Sequence, residues 1–446
     1  MDEALSWGGI FGRIAVQLVP VWIALAATFA VSIACKRRLG LFGKLFDSPV
    51  GMAGFGIVMF WVFTAIFADL VVTHHPLEQF SGMRNVPTGT PLAGAPEGYY
   101  PWFLLGGDHL ARDVFSRMVM GARWVLAIAP AATAFAFMVG ITLGVPAGYF
   151  GGRIDTGLSF VANLVLAFPV ILLFYLLVTP EIVDHRILLL GPFLPDSTAA
   201  ACAALETVPL TAPHCLRLSI PEMMAATLFI FPIIFVTILL NARFFTDAVK
   251  RNIYVGLVLV IGLWAYSGLA FNADPSGEIM TWLVERLPRV GESLGVQGPV
   301  GDIWAMEPNL LNVFVSVVFV NAPTVFRIVR GIVMDLKARD YVAAGQTRGE
   351  GSWYIMLWEI LPNARGPLIV DFCLRIGYTT ILLGTLGFFG LGVAPDSPDW
   401  GSTIDDGRRT LSMFPHAAIV PALALMSLVL GLNLLADGLR EESLRD

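Results

Sequence analysis

The chain has 446 residues, of which 56% are hydrophobic and only 14% charged, and its formal net charge is −6. A soluble domain carries about 25% charged residues, so this composition excludes an ordinary soluble globular protein. The net charge by itself says little about partners, but the chain has no basic stripe of the kind that binds nucleic acid. Several continuous apolar runs are each long enough to cross a hydrocarbon core of roughly 30 Å as a helix. They lack the alternation of β-barrel strands.

These runs predict an all-α polytopic membrane protein with nine spans. The first run is longer than the core of a signal peptide, and its basic residues follow it, so we interpret it as a retained span. In chain order, the predicted spans are Ile14–Cys35, Gly51–Val72, Trp124–Val145, Leu158–Val178, Met223–Asn241, Ile253–Phe271, Asn309–Ile332, Leu368–Phe389 and His416–Leu435.

Basic residues in short connections set the orientation of a membrane protein. With the N-terminus outside and the C-terminus inside, all four basic groups of the chain fall on the inside. The groups are Lys36, Arg37, Arg38 and Lys44; Arg243, Lys250 and Arg251; Lys337, Arg339, Arg348 and Arg365; and Arg440 and Arg445.

Two of the four cysteines, Cys202 and Cys215, share the predicted outside segment Thr179–Pro221. In an oxidising compartment these two thiols could form a disulfide. The alternative is a pair of free thiols in a loop.

The most informative segment is Asp340–Asn363, DYVAAGQTRGEGSWYIMLWEILPN, which is too polar to span and lies between two predicted spans. Compact residues precede Gly349, and an amphipathic stretch then ends at Pro362. We predict a short helix, a glycine turn and a second short helix. The compact residues would let a partner's groove approach the backbone closely. The alternative is an ordinary solvated loop, which seldom combines these features.

This segment resembles the coupling loop of binding-protein-dependent ABC permeases, most closely the second permease of dipeptide, oligopeptide and nickel importers. It departs from the family pattern at Ala343, where Glu is usual, at Gly345, where Ala is usual, and at Arg348, where an apolar residue is usual. The missing carboxylate removes one expected polar contact with the ATPase. The resemblance implies that coupling to an ATPase is carried by Asp340, Tyr341, Ala343, Ala344, Gly345, Gly349, Leu361 and Pro362.

Further blocks resemble the same family and occur in its order. Gly106–Arg123 is similar to the family's G-T-D-x2-G-R-D element, with Gly107 in place of Thr and Ala111 in place of Gly. The remaining blocks are the turn Gly148–Asp155, the glycine-rich and W-G block Leu386–Gly401, and the closing block Asn433–Arg440.

The resemblance implies a type I ABC importer permease with a six-span core, to which this chain adds about three spans. It also implies the partners, namely a second permease that completes a heterodimer, two ATPase subunits, an extracytoplasmic solute-binding protein and membrane lipid. The chain has no G-x4-G-K-[ST] motif, so ATP and Mg are expected on the ATPase subunits. This chain is then a non-catalytic component, with no cofactor or metal of its own.

The implied function is translocation of di- or oligopeptides across the bacterial cytoplasmic membrane, and the alternative solutes are nickel or another small molecule. A rival from another class is a secondary transporter driven by an ion gradient, which would favour internal repeats with broken helices. The chain shows no convincing repeat.

The sequence also predicts a division of the chain into segments. These are 1–50, an extra N-terminal span and basic inside segment; 51–123, the first core span and an outside loop; 124–222, core spans and an outside loop; 223–272, an inserted helical pair; and 273–446, an outside loop, core spans and the coupling loop at 340–363.

Polar residues within membrane spans are candidates for a translocation pathway. Asp371 and Arg375 lie four apart on one helical face and could meet peptide termini, but a self-neutralised pair is the favoured interpretation. Asn312 and Asn321 are further candidates, although asparagine is also an ordinary interhelical hydrogen-bonding residue.

Overall fold

The structure is a computed structural model that describes residues 4–38, 41–92, 98–178, 187–188, 217–218, 220–243, 248–270, 308–391 and 397–443. These residues are predominantly helical, with two short antiparallel strand pairs, which confirms the predicted all-α class. Cys202 and Cys215 lie outside the described residues, so their disulfide stays a prediction. The chain forms two compact units, one of Met1–Thr133 with Arg365–Asp446 and one of Ala134–Ala364.

The helices and strands have the following bounds. In chain order they are α1 Trp7–Gln17, α2 Val19–Ala34, α3 Leu41–Lys44, α4 Pro49–Ile66, α5 Ala68–Val71, β1 Thr90–Pro91, β2 Trp102–Phe103, α6 Val114–Phe150, α7 Gly152–Ala167, α8 Val170–Val178, β3 Ile187–Leu188, β4 Arg217–Leu218, α9 Ile220–Leu228, α10 Ile230–Arg243, α11 Ala248–Ala270, α12 Pro308–Lys337, α13 Asp340–Thr347, α14 Ser352–Tyr354, a π-helix Ile355–Ile360, α15 Leu361–Phe388, α16 Trp400–Arg408 and α17 His416–Ser443.

Among the described residues, six helices are long and apolar enough to cross a membrane, or up to eight spans if each of two bent helix pairs is one span. The predicted span Ile253–Phe271 falls on α11, which is helical but lies outside that count. Six or more spans agree with a six-span core that carries additions.

Two predicted spans are broken rather than continuous. Along Ile14–Cys35, α1 and α2 meet at 60°, with Pro20 in the first turn of α2. Along Leu158–Val178, α7 and α8 meet at 85°, and Phe168 is extended before Pro169. Proline cannot donate the hydrogen bond that continues a helix, and it disfavours the helical conformation of the residue before it.

In the first unit, α4 packs along α17, and α16 packs against the same helix. The approach of α4 to α17 is close, because a Cβ added to Gly54 would lie 2.3 Å from the backbone nitrogen of Leu435. The indole of Trp61 donates to Ser427 Oγ at 2.9 Å across this interface. Small residues and interhelical hydrogen bonds are what holds membrane helices together where the surroundings are as apolar as the core.

In the second unit, three glycines spaced four apart on α6 face three valines of α12. Such a row of small residues lets two membrane helices approach closely. The contacting sets are Gly140, Gly144 and Gly148 on one helix and Val325, Val329 and Val333 on the other.

The inserted helices belong to the packing of the second unit. α10 packs against α11, and α9 packs against α12. The rings of Phe135, Phe229 and Phe314 interlock, with the Phe229 and Phe314 centroids 5.7 Å apart. The inserted helices are therefore packed against each other and against α12 of the same chain.

Candidate functional site

A buried carboxylate starts α6. Asp113 Oδ2 accepts hydrogen bonds from the Ser116 amide at 3.2 Å and the Ser116 hydroxyl at 2.6 Å. The Thr73 hydroxyl donates to the same oxygen at 2.7 Å, and His74 Nδ1 lies 3.3 Å from it. Aspartate before the first helical turn satisfies amides that have no partner within the helix. This cap therefore fixes where the helix starts and ties it to the segment that follows α5.

Two arginines next to this cap are buried among carboxylates. Arg112 is 1% exposed, and its guanidinium lies 2.6 Å from Asp108 and 2.8 Å from Asp406. Arg117 is fully buried and donates to the Ser397 carbonyl at 3.2 Å. Buried charges persist only when they are paired and hydrogen-bonded, so each member of this set depends on the others.

Trp400 belongs to the same group of buried side chains. Trp400 is fully buried, and its Nε1 donates to the Met118 carbonyl at 2.8 Å. Asp399 caps α16 by accepting from the Ser402 amide at 3.1 Å, and burial raises the pKa of the Asp399 carboxyl. We call the set the buried polar network; its members are Asp108, Arg112, Arg117, Asp399, Trp400 and Asp406.

The buried polar network joins two sequence blocks, Gly106–Arg123 and Leu386–Gly401, that are far apart along the chain. The sequence analysis identified both blocks, but it did not predict their contact. It also did not single out Asp406. The charged residues that lie beside apolar spans could have indicated this contact, because charges near a membrane need oppositely charged partners.

Asp108, His109 and Asp406 bring ligand atoms within 4.8 Å of one another, a spacing at which a metal ion could bind. The guanidinium of Arg112 hydrogen-bonds to both carboxylates. The two carboxylates therefore already have the positively charged partner that burial requires. We interpret the group as a structural ion-pair cluster and not as a metal site.

The structure explains the first departure in the first family block and shows that the second is strained. A Cβ added to Gly107 would lie 2.2 Å from the Met83 carbonyl oxygen, so a threonine has no room there. Ala111, where the family has glycine, adopts a φ of 64°. Such a conformation is costly for a residue with a Cβ and free of that cost for glycine.

Ala111→Gly is therefore expected to stabilise the protein by about 0.5–1 kcal/mol, the relief of left-handed strain less the extra entropy of an unfolded glycine. The thermal denaturation of the full chain in detergent would measure it. A lower midpoint would show that the alanine is not strained.

The second candidate site is the segment 340–363, where α13 begins at Asp340 with a carboxylate in its first turn, a favourable position for the helix dipole. Val342 and Gly345 are buried, so this face of α13 packs against the rest of the protein. Residues at helical spacing on the opposite side form one exposed, compact face, consisting of Asp340, Ala343, Ala344 and Thr347.

Gly349 ends α13. Its φ is 80°, its amide donates to the Gln346 carbonyl at 2.9 Å, and the Glu350 amide donates to the Gly345 carbonyl at 3.2 Å. This pair of bonds is a Schellman motif, in which a left-handed residue satisfies the last carbonyls of a helix. The glycine turn predicted from the sequence is present.

Gly345 is different, because a Cβ there would meet its nearest neighbours at 3.7–3.9 Å, which is ordinary contact. We expect Gly345→Ala to stabilise the chain by about 0.5–1 kcal/mol through helix propensity. Gly349→Ala, the matched change, should destabilise it by about 1 kcal/mol through left-handed strain. Thermal denaturation of both variants tests this, and shifts of the same sign would contradict it.

The second half of the segment is not a separate short helix, and in this respect the sequence prediction is wrong. α14, the π-helix and α15 form one helical stretch, Ser352–Phe388. Pro362, just after the π-helix, has no amide to donate, and the Asn363 side chain donates to the Glu359 carbonyl at 2.6 Å. The wider turn of the π-helix accommodates the backbone hydrogen bond that the proline cannot make. The segment thus continues directly into a membrane helix.

Ion pairs brace the two halves of the segment. Arg348 donates to Glu359 at 2.8 Å across the turn and lies 3.9 Å from Glu350. This contact accounts for an arginine where the family has an apolar residue. Beneath it, Tyr341 is partly covered, and burial raises the pKa of its hydroxyl.

The helix that leads into the segment is also anchored. Arg330 of α12 pairs with Asp155 of α7, with one N–O distance of 2.6 Å. Lys337 donates to the Tyr149 carbonyl, at the end of α6. The turn Gly148–Asp155 is thus fastened to α12 just before α13 begins, so α13 starts from a braced helix.

The residues proposed for the pathway lie in both units. Arg375 donates to Asp371 at 3.2 Å, the self-neutralising pair favoured above. Asn321 donates to the Val317 carbonyl one turn earlier, at 3.0 Å. Asn312 is 4% exposed, and its side-chain nitrogen has no hydrogen-bond partner among the described residues.

Residues 140–441 match the family of binding-protein-dependent transport system inner membrane components. The chain belongs to this family. It is a multi-pass inner-membrane permease, the non-catalytic component of an ABC import system, and its family match covers α12, the segment 340–363 and the Leu386–Gly401 block.

Three relatives illustrate the similarity. A glutathione transport system permease of Pectobacterium atrosepticum is 31% identical over 214 residues, 47% of this chain and 67% of the relative. A dipeptide transport system permease of Alkalihalophilus pseudofirmus is 23% identical over 400 residues, 90% of this chain and 87% of the relative. A glutathione transport system permease of Escherichia coli O1:K1 is 33% identical over 147 residues, 33% of this chain and 48% of the relative.

Proposed function

We propose that this permease is the second-type subunit of a heterodimeric importer of di- or oligopeptides. The observation that carries the proposal is the exposed compact face of α13, held by the Gly349 turn at the start of a membrane helix. The peptide class follows from the relatives named for dipeptide and glutathione transport.

In this proposal α13 enters a groove on an ATPase subunit. Small side chains at Ala343 and Ala344 let the groove approach the helix backbone. A second permease completes the pathway, two ATPase subunits bind ATP and Mg, and a solute-binding protein delivers the peptide. The N-terminus lies outside and the C-terminus inside, which puts α13 on the ATPase side.

The same segment transmits movement of the ATPase subunits to the membrane helix α15. ATP can shift a transporter between two states only if the ATPases bind it better in one of them. Movement of α13 reaches α15 through the Arg348–Glu359 pair and the continuous helix Ser352–Phe388. Leu361 and Pro362 lie at the junction, where the π-helix ends and α15 begins.

We assign the pathway first to Asn312, whose buried amide lacks a partner among the described residues. Asn321 is a second contributor. Asp371 and Arg375 neutralise each other in this state and would meet peptide termini only if the pair opened.

The experiment is an uptake assay in proteoliposomes containing this chain with its sister permease, ATPases and binding protein. A labelled dipeptide should accumulate with ATP, and unlabelled di- and tripeptides should compete. Accumulation of nickel without accumulation of peptide would overturn the peptide proposal and leave the importer class in place. Uptake that follows an ion gradient without ATP would overturn the class.

A further inference from the structure

A cleft of about 370 Å³ opens between the inserted helices and the segment 340–363. It lies within the second unit, where α10 contacts the π-helix. Its volume falls in the range that accommodates small ligands. The lining residues are Ile238, Asn241, Arg251, Trp353, Tyr354, Leu357 and Trp358.

One wall of this cleft is aromatic and exposed. Trp353 is 55% exposed and Trp358 40% exposed, and the Tyr354 and Trp358 rings stack with centroids 6.3 Å apart. Burying such rings is favourable, so an exposed group of them marks a surface for an apolar partner. The apolar partner that surrounds every membrane protein is lipid.

The cleft lies where a membrane surface should be. The helical stretch Ser352–Phe388 has 37 residues, so it is about 55 Å long against a hydrocarbon core of roughly 30 Å. Trp353 and Trp358 lie at its projecting end. Asn241 lies in the last turn of α10, and Arg251 lies in the first turn of α11. Tryptophan and tyrosine are enriched at this depth, where an apolar body meets a polar surface.

The polar groups of the lining favour a negative charge. Arg251 supplies a guanidinium, and the Asn241 side-chain amide, which donates one hydrogen to the Thr237 carbonyl at 2.9 Å, has a second N–H that can donate. Among the described residues, the Arg251 side chain makes no ion pair or hydrogen bond, and the lining includes no carboxylate. A cation beside an aromatic wall is the arrangement expected for an anionic headgroup with its acyl chain.

We propose that this cleft binds one anionic phospholipid. The headgroup phosphate lies against Arg251 and Asn241, and an acyl chain covers the rings of Trp353 and Trp358. The lipid then bridges the inserted helical pair and the segment that enters α15, which gives the insertion a role. The site does not depend on which solute the transporter carries.

The test uses quenching of tryptophan fluorescence in the full chain, purified in mild detergent and titrated with lipids that carry brominated acyl chains. Brominated phosphatidylglycerol should quench a saturable part of the emission at a lower mole fraction than brominated phosphatidylcholine. Arg251→Gln should raise the half-quenching mole fraction of phosphatidylglycerol about fivefold, as expected for one lost contact with an anionic lipid. Arg251→Lys should retain the preference.

Two controls locate the effect. Arg37→Gln changes an exposed basic residue of another turn, Lys36–Arg38, and should leave the curve unchanged. Trp353→Phe combined with Trp358→Phe should remove the saturable part, because these two indoles line the cleft. Equal curves for the two lipids in the wild-type chain, or an unchanged curve in Arg251→Gln, would overturn the proposal.

Discussion

Arg112→Met is expected to cause the largest loss of stability of any change considered, about 3–5 kcal/mol. Removal of the guanidinium leaves Asp108, which is 1% exposed, as a buried charge whose remaining ion pair is the longer, 3.9 Å contact with Arg117. It also breaks the contact of Arg112 with Asp406, by which α16 is tied to the start of α6. The measurement is the fraction of detergent-solubilised chain that stays monodisperse after heating.

The matched control is Arg123→Met. Arg123 pairs with Asp69 at 2.7 Å, but the two side chains are 38% and 73% exposed. Exposed ion pairs contribute little to stability, so this variant should denature close to wild type. Equal losses in both variants would show that burial of the network is not what matters.

The second large effect is expected in transport. Ala344→Trp places an indole on the compact face of α13 and should lower ATP-dependent uptake roughly tenfold or more, because a docking groove cannot accept the added volume. Folding should be unaffected, since Ala344 is exposed. Uptake and thermal denaturation are measured on the same preparation.

Gln346→Trp is the control for this change. Gln346 is also exposed but lies about 200° around the helix from Ala344. It should keep most of the uptake. Similar losses in both variants would mean that α13 is sensitive to bulk everywhere, and the compact face would lose its assigned role.

The helical class and most of the spans could be predicted from the sequence, because long apolar runs allow few alternatives. The breaks at Pro20 and Pro169 could also have been predicted, since each proline is visible within its run. The turn at Gly349 was predicted correctly because a glycine that ends a short helix has a specific conformational cause.

The buried polar network could not be predicted, because its partners are almost 300 residues apart and no local pattern links Arg112 to Asp406. The fusion of the second short helix with α15 was missed for a different reason. Pro362 suggested a stop, whereas the π-helix before it absorbs the missing hydrogen bond.

The central claim is that the compact face of α13 contacts an ATPase. It is tested most directly by replacing Ala344, and separately Gln346, with a photo-crosslinking amino acid in the assembled transporter. Illumination should join position 344 to an ATPase subunit and give little or no adduct from position 346. An assembled, active complex in which position 344 gives no ATPase adduct, or no more than position 346, would contradict the account.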